Sequence, residues 1–150
     1  MPGIVVGIDG SANARPALAW AVSEAAARRA PLIVLTVHEI SNSLWTGRPV
    51  VLSADEDQLA AAKAAATELT EQAVSELGTD KPASVTVRAV NGAAADELLA
   101  AASGADMLVL GARGGAQASG LAAHSPIGSV SNKVLHRAHC PVVVIPASSD

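Results

Sequence analysis

The sequence has no phenylalanine, no tyrosine and a single cysteine, and each scarcity removes a class of function. Aromatic surface is confined to Trp20 and Trp45. A single-stranded nucleic-acid platform needs aromatic faces on which bases stack, so that class is excluded. Lys and Arg number 10 against 14 Asp and Glu, a formal net charge of −4, with no dense basic run. Duplex nucleic acid and anionic membrane are held through such runs, so neither is an expected partner. One cysteine, Cys140, allows no internal disulfide and no multi-cysteine zinc site. No apolar stretch approaches the roughly 20 residues that cross a bilayer. No basic segment precedes the first apolar run, which reads as a strand and not as an export signal. The expected location is the cytoplasm. A length of 150 residues fits one domain, 1–150, large enough to bury a core.

What is present is an alternation of short β-branched runs with longer alanine-rich helical patterns. Ile4 to Ile8 reads as a buried strand that ends in the turn Asp9-Gly10-Ser11. A helix follows over about 13–29, with Ala14, Ala17, Leu18, Ala21, Val22 and Ala25 at helical spacing and Arg28 and Arg29 near its end. Leu32 to Val37 is the second strand, and Ser41 to Ser53 reads as irregular. A second helix spans about 55–77 before Gly78, a natural stop. Ser84 to Val90 alternates more cleanly than the other strands, which predicts a sheet edge. A third helix near 94–103, a strand at Met107 to Leu110, a helix near 128–138 and a strand at Pro141 to Ile145 complete the pattern. The class is α/β, a parallel sheet with helices on both faces. The last four residues, Ala147 to Asp150, are expected to fray.

Ligands of such sheets bind beyond the carboxyl ends of the strands. Two loops stand out there. Gly7-Ile8-Asp9-Gly10-Ser11 follows the first strand, and Gly111-Ala112-Arg113-Gly114 opens a loop that closes at Gly128-Ser129-Val130-Ser131. Glycines let main-chain N–H groups approach a ligand closely. Gly128 and Ser129 stand at a helix start, where unpaired N–H groups favour an anion. Ser129 and Ser131 supply hydroxyl donors, and Arg113 and Lys133 are the nearby cations. The competing reading is a tight turn followed by a serine cap. Neither the P-loop pattern nor GxGxxG occurs. A carboxylate such as Asp9 beside phosphates suits a ribose hydroxyl or a divalent metal; an Asx turn is its bland alternative.

In these blocks, together with Asp106 to Leu110 and Ala138-His139-Cys140-Pro141-Val142-Val143-Val144-Ile145, the chain resembles the universal stress protein family over nearly its whole length. Its first helix, with Ala17-Leu18-Ala19-Trp20-Ala21, resembles actinobacterial members. The resemblance implies a doubly wound five-stranded parallel sheet in order 3-2-1-4-5. It also implies a homodimer, often through the fifth strand, Pro141 to Ile145. ATP with Mg²⁺ is the implied ligand of the nucleotide-binding branch. Gly7 lies in the first of the two loops. Asp9 would meet the ribose or the metal and Val37 would lie by the adenine. Gly111, Arg113, Gly114, Gly128, Ser129, Val130 and Ser131 belong to the loop around the phosphates.

The sequence departs from that pattern in two places. Thirteen residues separate Gly114 from Gly128 where the ATP-binding branch has nine, and Ala112 replaces a frequent serine. A longer loop costs little in closure entropy, but its extra residues could enter the phosphate site. Three functions follow. The first is an ATP-binding stress-response regulator acting through conformation or partners, with weak hydrolysis at most. The second is a dimerising module that binds no nucleotide. The third is a slow ATPase or a cyclic-AMP binder. His38, His136 and His139 read as structural or capping residues, and Cys140 as a small apolar one.

Overall fold

The computed structural model describes residues 3–9, 14–39, 41–43, 50–52, 55–112 and 129–146. Strand β1 (Ile4–Ile8) is the centre of the main sheet. Helix α1 (Ala14–Arg28) follows, then β2 (Pro31–Glu39), which pairs in parallel with β1 from Ile4↔Leu32 to Ile8↔Thr36. Two short strands, β3 (Ser41–Ser43) and β4 (Val50–Leu52), pair with each other antiparallel. Then come α2 (Glu56–Ser75), β5 (Ser84–Gly92), α3 (Ala94–Ala101), β6 (Met107–Gly111), α4 (Ser129–Arg137) and β7 (Val142–Ile145). The main sheet runs β5-β2-β1-β6-β7, all pairs parallel. Counted along the main sheet alone, this is the order 3-2-1-4-5.

Side-chain alternation along the strands divides the core in two. Ile4, Val6 and Ile8 of β1, Leu32 and Val34 of β2, and Met107 and Val109 of β6 face α1 and α2. Val5, Leu35, Leu108 and Leu110 face α3 and α4. Both faces of the central strands are therefore covered, which is why they read as unbroken apolar runs. Helix α1 buries Ala14, Ala17, Leu18, Ala21, Val22, Ala25 and Ala26, a stripe at helical spacing in which alanine permits close approach to the sheet. Helix α2 buries only Ala66 and Thr70. The Thr70 hydroxyl is satisfied by donating to the Ala66 carbonyl at 2.7 Å.

Strand β5 lies at the edge of the sheet, as its alternation predicts, and its first three residues are exposed. The expectation of an irregular segment over 41–53 is corrected by the β3–β4 pair. Three-residue strands carry too little alternation to be told from loop. Gly47 and Pro49, Trp45, and the tail Ala147 to Asp150 lie outside the described residues. Trp20 is partly buried against the α1 side of the core.

Candidate functional site

Strand β1 has β2 on one side and β6 on the other, so the order reverses beside it and a crevice opens at the carboxyl ends. One cleft occupies this place. Its walls come from Gly7, Ile8 and Asp9 at the end of β1, Leu35 and Val37 of β2, and Leu110 and Gly111 of β6. The starts of three helices complete it: Ala14 of α1, Ala94 and Leu98 of α3, and Val130 and Ser131 of α4. Most of the lining is apolar, and Asp9, Gly111 and Ser131 add polar side chains and bare main chain to it.

Of the residues singled out from sequence, Gly7, Asp9, Val37, Gly111, Val130 and Ser131 are brought together on these walls. Arg113, Gly114 and Gly128, with the segment Gly115 to Ile127, lie outside the described residues. Ser129 is the first residue of α4, and its side chain is likewise outside them. Asp9 is exposed. Ser131, one of the few buried polar residues at 5 % exposure, donates its hydroxyl to the Gly111 carbonyl at 2.7 Å. In this arrangement its proton is given to that carbonyl, and the hydroxyl oxygen is left to accept from the cleft. Ala112, which stands in place of a serine frequent in the resembled family, is buried, and its N–H bonds to the Ile145 carbonyl at 2.8 Å.

Gly7 has a local reason of its own. A Cβ there would lie 2.5 Å from Leu98 Cδ2 and 3.1 Å from Leu110 Cδ2. The glycine lets α3 press its leucine onto β1 at the floor of the cleft. Sequence reasoning missed Ala14, Leu35, Ala94, Leu98 and Leu110 as lining residues. Leu35 shares a strand face with Val37 by the two-residue period, so one followed from the other. Nothing in an alanine or leucine at helical spacing marks it as cleft and not core.

The residues set aside stay outside the cleft. His38, His136 and His139 are exposed, and among the described residues no cluster of His, Cys, Asp or Glu could hold a metal. Burial pushes the Cys140 thiol above its ordinary value. A second groove, between α2 and the amino half of β5, is lined by Thr67, Glu71, Val74, Lys81, Val85 and their neighbours. It lies on another part of the sheet from the crevice. No described helix is long and apolar enough to cross a membrane.

The order of the strands and the cleft at the reversal define a doubly wound α/β protein of the kind that binds ligands at its strand ends. The chain belongs to the universal stress protein family, whose model matches residues 2–146. A universal stress protein of Mycobacterium tuberculosis is 36% identical over 149 residues, covering 95% of this chain and 47% of that one. One from Mycolicibacterium smegmatis is 31% identical over 143 residues with the same coverage. The chain spans about half the length of the curated relatives it matches. Among solved structures, a universal stress protein in complex with cAMP has a TM-score of 0.67 and 27% identity, covering 98% of both chains. UspA from Lactobacillus plantarum, at 24% identity, shares the fold with a TM-score of 0.70 over 96% of this chain and 97% of its own.

Proposed function

We propose that this chain binds ATP with Mg²⁺ in the strand-end cleft and acts as a stress-response regulator through nucleotide-dependent conformation or partner binding. The observation that carries the reading is the two-part chemistry of the cleft. Val37, with the nearly fully buried Leu35 behind it, offers apolar lining suited to a purine ring. Gly111 and the start of α4 offer main chain suited to phosphates. Asp9 would take a ribose hydroxyl or the metal. A single carboxylate fits Mg²⁺, which draws most of its ligands from phosphate and water. The relative in complex with cAMP supports adenine nucleotide as the ligand class. Among the described lining residues Asp9 is the only titratable side chain, so we expect any hydrolysis to be slow. We propose further that two chains pair through the edge of β7.

Calorimetry of the full chain with ATP and MgCl₂ tests the reading. It should give binding heat, and ligand at about 100 times Kd should stabilise the fold by about 2.7 kcal/mol. Neither heat nor a melting shift at millimolar ATP overturns it. Gly128→Val with Ser129→Ala should weaken binding by about tenfold or more and leave the fold intact. Competition with AMP and cAMP ranks the nucleotides.

The thirteen residues between Gly114 and Gly128 favour a second reading, a module whose long loop keeps nucleotide out. Removing residues 116–119 separates the two. Binding by the shortened chain alone would assign the second reading to the natural one.

A further inference from the structure

We infer that Ser131 is a positioning residue: its buried hydroxyl clasps the start of α4 to the end of β6 and so holds the site's geometry whatever the length of the loop between them. The bond joins residues 20 apart, Ser131 Oγ donating to the Gly111 carbonyl at 2.7 Å. Gly111 is itself fixed. It pairs with Ile145 of β7, and the next residue, Ala112, donates its N–H to the same Ile145 at 2.8 Å. The helix has a second anchor one turn on, where Val134 is fully buried in the core on the α3 side. The clasp ties strand end to helix start directly, so the main-chain N–H groups at the start of α4 are set by contacts made on either side of the loop. The bond is part-buried and Gly111 lines the cleft, so removing the hydroxyl leaves the carbonyl to water and frees the strand end from the helix. The clasp itself is independent of any ligand. Its consequence for nucleotide affinity rests on the reading proposed above.

The test uses the full chain with Ser131→Ala and Ser131→Thr. In nucleotide-free protein, Ser131→Ala should speed amide hydrogen exchange at Ala112 by about tenfold. Val6 and Val34 in the sheet centre should be unchanged, and Ser131→Thr should restore the slow rate. Affinities for AMP, ADP and ATP should fall together, by a common factor of about three to ten. Unchanged exchange at Ala112, with a loss that grows with the number of phosphates, would make Ser131 a direct phosphate ligand and overturn the inference. Should wild type bind no nucleotide, the proposed function falls and the exchange result alone decides the clasp. Should Ser131→Ala fail to fold, the wild-type hydroxyl proton decides: a slowly exchanging resonance with a cross-peak to Gly111 supports the clasp, and exchange at the solvent rate refutes it.

Discussion

At the residue scale, two positions show how backbone and packing constrain this chain. Arg29 follows α1 with φ at 53°, the left-handed conformation that a side chain disfavours. It is held there by the helix end. Ala30 N–H bonds to the Ala25 carbonyl at 2.9 Å and Arg29 N–H to the Ala26 carbonyl at 3.1 Å, the paired bonds of a Schellman motif. Arg29→Gly should therefore stabilise the protein by about 0.5 to 1 kcal/mol. A thermal melt should rise by about 2 °C, and a fall would show that the arginine makes a compensating contact. Gly7 is constrained by packing. Gly7→Ala forces Leu98 Cδ2 from a contact that would be 2.5 Å, at a cost of about 1 kcal/mol. Because Leu98→Ala empties the same space, the double variant should be less destabilised than the two single losses added, by about 1 kcal/mol. Urea denaturation measures this, and strict additivity would refute the packing account. The sequence makes Gly7 look like part of a ligand loop. Its packing partner is some ninety residues away, so this role could not be read locally.

At the scale of the element, the helices differ in what holds them. α1 is seated by seven buried residues, whereas α2 buries two and leans on its ends. Asp55 Oδ1 accepts from Gln58 N–H at 2.8 Å, and Gln58 Oε1 accepts from Asp55 N–H at 3.0 Å, a reciprocal capping box. Glu56 and Asp57 in the first turn suit the positive end of the helix. Asp55→Ala should cost about 1 kcal/mol and Asp55→Asn, which keeps the acceptor, much less. Equal losses in chemical denaturation would mean that charge and not the cap matters. The Arg137–Asp96 pair at 2.7 Å ties the end of α4 to the first turn of α3, but both side chains are more than half exposed, so it contributes little.

Elements of this length were legible in the sequence because alanine and β-branched residues repeat at 3.6 or 2 residues over whole helices and strands. The three-residue strands β3 and β4 fall below that threshold. The polar half of the cleft was legible from glycine, aspartate and serine at strand and helix ends. Of its apolar half, Val37 and Val130 were named only through the family resemblance, and Leu35 and Leu98 not at all, because they look like core until the strand order brings them to one opening.

At the scale of the molecule, the two edges of the sheet are built differently, and this bears on association. β5 is nine residues long and carries Ser84, Thr86 and Arg88, polar and charged groups that discourage edge pairing. β7 is four residues, Val142–Ile145, with no charge and every side chain half-buried. Val143 and Ile145 pack toward α1, and Val142 toward α4. Val144 belongs to neither group of packed residues, so it can change with the smallest effect on the core. A lysine there places a charge on the edge without emptying the interior. The proposed pairing through β7 thus predicts that wild type sediments as a dimer at micromolar concentration, and that Val144→Lys sediments as a monomer with an unchanged circular dichroism spectrum. A wild-type monomer, or a Val144→Lys chain that remains dimeric, would exclude β7 as the interface. A charge on β5, as in Val85→Lys at a position already 40% exposed, should leave the dimer intact and so show which edge is used.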